Sequence, residues 1–338
     1  MKPALEELRN GQTDAARGAP DHREGLRPLI DQALIQHAAD VLCRGGLVAF
    51  PTETVYGLGA NALDAAAVRR IFEVKQRPAT SPLIVHAASE RMARDYALEW
   101  PAAARDLARR FWPGPLTLVV PKKPVIPDIV TAGLATVGLR VPAHPVAIAL
   151  IRAAGVPVAA PSANRFTQLS PTSAEHVRLS LGAAVDLILD GGSTPVGIES
   201  TVLSLVGGVP TLLRPGMISR EEIEAVIGDV AEAPAAVAGL PHAAPGMHRK
   251  HYSPRTPLVL IAPGERPVGG RGAIVSHRSH AHGVVRMSAD PKRYAAALYA
   301  TLHELDGQGY DWIAVERVPE LDAWAGIRDR LTRAAARE

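Results

Sequence analysis

The fold is indicated most clearly by one stretch early in the chain, Gly45-Gly46-Leu47-Val48-Ala49-Phe50-Pro51-Thr52-Glu53-Thr54. Apolar residues recur at helical spacing before it, and the two glycines end that predicted helix. The run 47–50 is short and apolar, as in a buried strand, and Pro51 ends it. Polar residues then follow the carboxyl end of the strand, where open α/β sheets usually bind ligands. This order predicts an α/β sheet with a functional site beside this strand.

The same order of helix, polar turn and strand continues along the chain. A helix is predicted over 65–74, with Asp64 as its N-cap, and others over 102–110 and about 145–153. Further strands are predicted at 83–86, 116–120, 137–141, 156–160, 185–189 and 201–205. Since strands that alternate with helices form layered α/β domains, we assign residues 28–230 to one such domain.

Three further regions complete the predicted organisation. Residues 1–27 are polar and show no sustained period, so we expect a flexible amino-terminal extension. Residues 231–257 are rich in proline and predict a linker, but its run 248–252 gathers His, Arg, Lys and Tyr, which suits contact with an anion. Residues 258–338 contain apolar strand patterns and one long helical pattern, which predict a small α/β domain.

Composition and charge exclude several classes of protein. The chain has 338 residues, of which 47% are hydrophobic, as in globular proteins. A net charge of +3 is too small for a protein that coats nucleic acid. The single cysteine, Cys43, excludes a disulfide framework and multi-thiolate metal sites. No apolar run reaches the roughly 18 residues of a membrane helix, and no signal peptide is evident, so we expect a cytoplasmic protein without a membrane partner.

The common nucleotide-binding loops are missing, since neither a Walker nor a dinucleotide glycine motif is present. A phosphate site could still be assembled from separate bases and hydroxyls. Lys75 and Arg77 lie on a predicted turn before Pro78, where an arginine fork and a lysine point charge would suit phosphate. The alternative is a solvated helix end that is favoured by the helix dipole. Arg140 lies in the apolar run 137–141, so it is either paired structurally or bound to an anion.

Few acids accompany the bases and hydroxyls at the predicted strand ends. Such a set favours the binding of anions over the removal of protons. It would suit phosphoryl or nucleotidyl transfer from a Mg²⁺-bound triphosphate, where positioning and charge neutralisation carry the chemistry.

Five motifs closely resemble, in order, those of the threonylcarbamoyl-AMP synthases, which contain a YrdC-type domain. They are the runs 45–58, 75–86, 112–117, 161–164 and 213–216. The runs 245–247 and 251–254 also resemble the linker of the long subfamily, which carries an additional carboxy-terminal domain. The resemblance implies a twisted, open mixed sheet with helices and a small Rossmann-like α/β domain after the linker.

The resemblance also implies a reaction. L-Threonine, bicarbonate or CO₂, and ATP would give threonylcarbamoyl-AMP and pyrophosphate, the first step of t⁶A synthesis at position 37 of tRNA. The enzyme would be a nucleotidyltransferase that takes Mg²⁺ with the ATP phosphates and offers the metal no protein ligand. Its product would pass to the tRNA threonylcarbamoyl-transfer machinery. A weak contact with RNA, and the choice between monomer and dimer, are left open.

Individual roles follow from motif position in the same resemblance. The implied catalytic residues are Lys75 and Arg77. The implied L-threonine contacts are Thr54, His86, Arg140, the backbone of Ala160, and Ser200. The implied ATP contacts are Lys75, Arg77, Ser81, Thr136, Ser162, Asn164, Ser170, Arg214 and Tyr252. Tyr252 would come from a linker that folds over the nucleotide and excludes water. The chain departs from the family pattern at Ser81, where Asn is usual, and at Arg249, where an aromatic residue is usual.

Two other functions compete with this one. The first is a protein that binds structured RNA on a concave basic surface, against which the small net charge and the lack of an aromatic stacking platform count. The second is a related carbamoyl-adenylate enzyme with another acceptor, whose relatives carry zinc-finger and acylphosphatase parts that this chain lacks.

Overall fold

The computed structural model describes residues 31–233, 250–279 and 281–336. The helices are α1 (Gln32–Cys43), α2 (Ala65–Lys75), α3 (Glu90–Arg94), α4 (Ala102–Phe111), α5 (Asp128–Thr131), α6 (Pro145–Ala154), α7 (Ala174–Leu181), α8 (Arg220–Ile227), α9 (Pro291–Asp306) and α10 (Ala325–Ala334). The strands are β1 (Val48–Pro51), β2 (Tyr56–Asn61), β3 (Ile84–His86), β4 (Leu116–Pro121), β5 (Thr136–Arg140), β6 (Val158–Ala159), β7 (Leu187–Ile188), β8 (Thr201–Ser204), β9 (Thr211–Arg214), β10 (Ala231–Glu232), β11 (Leu258–Ile261), β12 (Gly272–Ser276), β13 (Val284–Arg286) and β14 (Trp312–Glu316). Among these residues, no helix is both long and apolar enough to cross a membrane.

A ten-stranded mixed sheet forms the larger part of the fold, in the order β10-β9-β8-β4-β5-β3-β6-β2-β1-β7. Parallel pairs such as β3 with β5 alternate with antiparallel pairs such as β1 with β2. The second sheet is parallel throughout and has the order β11-β14-β12-β13. The mixed sheet and the smaller α/β unit confirm the predicted fold class.

Helix α2 and strand β1 form where the sequence places them. The Asp64 side chain accepts hydrogen bonds from the first free amides of α2, at Ala66 and Ala67, which stabilises the helix start. Strand β2, in contrast, lies in a run that suggests a turn, because it contains Gly57 and Gly59. A Cβ atom on Gly59 would lie 2.7 Å from the Phe50 ring of the neighbouring strand, so the glycine permits the two strands to pack closely.

Parts of the predicted domain division fall outside the described residues. This is true of the extension 1–27 and of linker residues 234–249. At the start of the linker, 231–232 form β10 and pair with β9. The division into domains therefore stays a prediction.

The smaller unit shares its hydrophobic core with the larger sheet domain. The cluster around Leu298, Tyr299 and Ile327 also contains Tyr252 of the linker and Ile198 from the loop before β8. Burial of each large apolar side chain contributes about 1.5–3 kcal/mol to stability. The two parts are therefore joined by apolar packing as well as by the chain.

Two glycines allow the backbones of the two parts to touch. A Cβ atom on Gly326, in α10, would lie 2.7 Å from the carbonyl oxygen of Gly216, which follows β9. Real Cβ contacts are not this short, so a side chain at Gly326 would push α10 away from the larger domain.

We therefore expect Gly326→Ala to lower the free energy of unfolding by about 1–2 kcal/mol, because overpacking outweighs the better helix propensity of alanine. Denaturant unfolding measures the change. Gly307→Ala is the matched control, since the nearest atom to its Cβ would be 3.6 Å away. Equal stability of the two variants would contradict the close contact.

Candidate functional site

A cleft opens where β1, β3, β5, β6 and β9 end and β8 begins. Its lining includes most of the residues predicted from the sequence: Thr54, Arg77, His86, Arg140, Ala160, Ser162, Ser200, Arg214 and Tyr252. It also includes residues that were not predicted: Thr52, Val55, Gly57, Ile84, Pro161, Glu199 and His251. The fold thus brings distant parts of the chain to one site at the strand ends.

The remaining predicted residues lie elsewhere. Lys75, Ser81, Asn164 and Ser170 are buried behind the lining. Thr136 lines a separate, smaller cleft instead. Thr136 is the first residue of β5, and Arg140 is the last. Four residue steps along a strand place the two residues about 13 Å apart. The predicted ligand roles of all these residues stay predictions.

Buried cations form one side of the cleft. Lys75 is the last residue of α2, and Gln76 takes the left-handed conformation, with a φ of 54°, which turns Arg77 back into the protein. The Lys75 Nζ donates to the carbonyl oxygens of Ser162, at 2.6 Å, and Asn164. The predicted turn is therefore a buried bend rather than a solvated helix end.

Burial makes these cations costly. It lowers the pKa of Lys75 well below its ordinary value, and the nearby charge of Arg77 lowers it further. Burial likewise lowers the pKa of Arg77 to about 10. An anionic ligand would offset the cost of holding two cations close together in a low-dielectric site. The electrostatics of this side of the cleft therefore favour a phosphate or carboxylate ligand.

Arg140 pairs with a carboxylate of the protein. Its Nη2 donates to Glu53 Oε1 at 2.6 Å and to Thr54 Oγ1 at 2.9 Å. The other oxygen of Glu53 accepts from the backbone amide of Ala143 at 2.8 Å. Arg140 also lines the cleft, so the structure gives it a buried partner while its side chain faces the ligand space. The sequence offered one signal for Glu53, because an acidic residue directly after a predicted buried strand is a candidate for a functional site.

Glu199 is a second buried carboxylate in the lining. One of its oxygens accepts from the Ser170 hydroxyl, and the other accepts from Arg330 Nε at 2.8 Å and from Tyr299 OH at 3.2 Å. Burial alone would raise the pKa of Glu199, but Arg330 and Arg214 outweigh burial and lower it. Glu199 is therefore ionised at neutral pH. Nothing local in the sequence pointed to this residue, because its arginine partner lies 131 residues further along the chain.

His86 is held in its neutral form. Burial and the charge of Arg140 lower its pKa to about 3. Its Nδ1 atom is buried and makes no hydrogen bond within the described residues. A neutral imidazole at the wall of the cleft can exchange hydrogen bonds with a polar ligand without adding another charge.

The end of the linker closes one wall. Ser253 N donates to the Thr167 carbonyl oxygen at 2.8 Å, which fixes the segment against the larger domain. Tyr252, with a φ of 61°, is 1% exposed, and its ring lies 5.1 Å from the Arg330 guanidinium. Its hydroxyl has no hydrogen-bond partner among the residues that the structure describes. Arg249, where the linker departs from the family pattern, lies outside those residues.

The cleft offers little to a metal ion directly. Within the described ranges, no group of three or more His, Cys, Asp or Glu side chains could hold one. Glu199, in the lining, and Glu53, between the lining residues Thr52 and Thr54, are both bound by arginines. A divalent cation at this site would therefore depend on oxygens of the ligand.

Loss of the Arg140 charge leaves Glu53 buried without its cation. We expect Arg140→Met to lower the free energy of unfolding by about 3–5 kcal/mol, as measured by denaturant titration. Arg178→Met is the control, because the Arg178 side chain is 50% exposed and its surface pairs contribute about 0.5 kcal/mol. A similar small loss in both variants would contradict the buried pair.

The low pKa of His86 also predicts how stability depends on pH. Between pH 6.5 and pH 3 the unfolded chain binds the His86 proton and the folded chain does not, so stability falls as the pH falls. We expect His86→Gln to lose about 1–2 kcal/mol less stability than the wild type between pH 7 and pH 5. The exposed His37 gives the control His37→Gln. Identical pH dependence in the wild type and His86→Gln would rule out a buried neutral imidazole.

Comparisons with known proteins agree with this geometry. Residues 40–216 match the Sua5, YciO and YrdC family model described as "Telomere recombination", and residues 218–336 match the model described as "Threonylcarbamoyl-AMP synthase, C-terminal domain". The threonylcarbamoyl-AMP synthase of Pyrococcus abyssi is 42% identical over 92% of this chain and 96% of its own length. That of Bacillus subtilis is 42% identical over 89% of this chain and 92% of its own.

A solved structure extends the agreement to three dimensions. The crystal structure of Pyrococcus abyssi Sua5 complexed with L-threonine has a TM-score of 0.85 and 41% identity, and it covers 90% of this chain and 95% of its own. Both family models and both full-length relatives agree with the motifs in the sequence. The chain therefore belongs to the threonylcarbamoyl-AMP synthase family of transferases, in the form with an additional carboxy-terminal domain.

Proposed function

We propose that this protein makes threonylcarbamoyl-AMP and pyrophosphate from L-threonine, bicarbonate or CO₂, and ATP. The observation that carries the proposal is the cleft, in which buried arginines and neutral hydrogen-bonding groups meet at the strand ends. The relatives named for this activity match almost the whole chain, and one solved relative holds L-threonine. L-Threonine is accordingly a substrate, and ATP and bicarbonate are the co-substrates that we propose.

The cationic side of the cleft suits the triphosphate. Arg77 and Arg214 are 7% and 3% exposed, and Lys75 lies directly behind the lining. In this proposal they neutralise the charge that develops on the departing pyrophosphate, in a site where water is scarce and electrostatic interactions are strong. The nucleotide enters as MgATP, with the ion held by phosphate oxygens, since the Glu53 and Glu199 carboxylates are already bound by arginines.

Other residues of the lining suit the amino acid. Thr54 and Ser200 supply hydroxyl groups, Arg140 supplies a guanidinium, and His86 supplies a neutral imidazole. The threonine ammonium must lose one proton before its nitrogen can bond to the carbon of CO₂, and the nitrogen releases a second proton to water as the carbamate forms. A carbamate oxygen then bonds to the α-phosphorus, and the bond from that phosphorus to the pyrophosphate oxygen breaks. Buried Tyr252 would shield the resulting mixed anhydride from hydrolysis.

We further propose that the product serves tRNA t⁶A synthesis in the cytoplasm, as the family resemblance implies. The RNA-binding alternative gains no support from the cleft. Arg77, Arg140 and Arg214 are buried in the lining of the cleft, whereas RNA-binding arginines must be accessible to a broad phosphate surface.

The direct test incubates the protein with ATP, Mg²⁺, bicarbonate and each amino acid in turn. Pyrophosphate and the adenylate product are measured together. We expect pyrophosphate release that depends on threonine and bicarbonate. Equal release without an amino acid would refute the proposal, and a preference for another acceptor would favour the related carbamoyl-adenylate enzymes.

At residue level, we expect Arg77→Met to lower kcat/KM by about 10²–10³, because one buried donor to the transferring phosphates is lost. Arg69→Met is the matched control, since Arg69 is exposed on the same helix α2. Thermal unfolding establishes that both variants are folded. Near-normal activity of a folded Arg77→Met protein would remove Arg77 from the site.

A further inference from the structure

Arg330 extends from the smaller unit into the wall of the cleft. It lies on α10 and is 1% exposed. Its Nε donates to Glu199 Oε2 at 2.8 Å, and its Nη2 donates to the Glu199 carbonyl oxygen at 3.2 Å. Its Nη1 donates to the Pro215 carbonyl oxygen at 2.8 Å, next to the cleft residue Arg214. One guanidinium from the carboxy-terminal domain therefore binds two segments that line the cleft.

Several further contacts fix the position of Arg330. Gly326, one helical turn earlier, touches the backbone of Gly216, which sets how closely α10 approaches the larger domain. The guanidinium also lies 5.1 Å from the centre of the Tyr252 ring, within the range of a cation–π contact. Arg330 thus contacts both the cleft carboxylate and the linker aromatic residue.

Glu199 is an unusual group to find beside a site for a polyanion. Its negative charge raises the pKa of Lys75 and of Arg214, although burial leaves the pKa of each below its ordinary value. Without a cation of its own, the Glu199 carboxylate would repel the phosphates of the ligand. It would also attract Lys75 and Arg214, the basic side chains that we propose for those phosphates. The bond to Arg330 neutralises that charge across the domain boundary.

We propose that Arg330 is a positioning residue for the reaction: it holds the Glu199 carboxylate in the wall of the cleft, and so lets the cleft bind a nucleoside triphosphate. The carboxy-terminal domain then contributes to nucleotide binding through the positive charge of Arg330. This inference rests on the proposed function in assigning the triphosphate to this cleft. A purely structural link between the domains would predict weaker ATP binding after loss of either partner. This proposal predicts weaker binding after loss of Arg330 but not after loss of the Glu199 charge.

The test compares three variants by their dissociation constants for MgATP, measured by titration calorimetry, and by their KM values for ATP and L-threonine. Arg330→Met removes the main cation that compensates the carboxylate and leaves it to Arg214, so we expect ATP binding to weaken about tenfold or more, with a smaller change in the KM for L-threonine. Glu199→Gln removes the negative charge, so we expect ATP binding equal to the wild type or tighter. Arg330→Met/Glu199→Gln removes both charges, so we expect ATP binding within about threefold of the wild type.

Arg328→Met is the matched control, because Arg328 lies on the same helix and, among the residues that the structure describes, donates only to carbonyl groups of its own domain, those of Pro319 and Leu321. A structural role alone would make both single variants, Glu199→Gln as well as Arg330→Met, bind ATP more weakly. That pattern would overturn the proposal, as would wild-type affinity in folded Arg330→Met.

If Arg330→Met does not fold, the double variant still tests the proposal, because the replacement of a buried ion pair by two neutral groups is usually tolerated. ATP binding more than tenfold weaker in the folded double variant would overturn the proposal. Calorimetry needs no turnover, so the effect on ATP binding can be measured separately from activity. Absence of threonine-dependent pyrophosphate release by the wild type would instead count against the proposed function.

Discussion

The cleft depends most on the ion pair between Glu199 and Arg330, which joins the sheet domain to the last helix. The carboxylate also accepts hydrogen bonds from Ser170 and Tyr299, so three separate parts of the chain converge on it. A buried carboxylate without such partners would become protonated or destabilise the fold. The apolar core that both parts share brings Arg330 close enough to form the pair.

A second buried pair, Glu53 with Arg140, lies at the same cleft, which Arg140 lines. Together the two pairs hold charged side chains in place before any ligand arrives, which is how an enzyme avoids the cost of reorganising its site during the reaction. In each pair, the carboxylate compensates the charge of a buried arginine. The remaining charge of the cleft comes from Lys75, Arg77 and Arg214, so the electrostatic preference is for anions.

Much of this organisation could be predicted from the sequence, and the failures have physical reasons. Helical spacing and the glycine and proline residues at the ends of elements located β1, α2 and α9, because those signals are local. Strand β2 was missed because its glycines, which suggest a turn, serve a close contact with Phe50. The motifs located most of the cleft lining. They could not reveal Glu199 and Arg330 as partners, since a pair 131 residues apart leaves no local pattern.

The ionised state of Glu199 is the most direct test of this account. Its carboxyl ¹³C resonance, assigned by its loss in Glu199→Gln, can be followed by NMR as the pH is varied. The account predicts a pKa below the ordinary glutamate value in the wild type, and a raised pKa in Arg330→Met, where burial loses its main counterweight. A wild-type pKa above the ordinary value, unaffected by loss of Arg330, would contradict it.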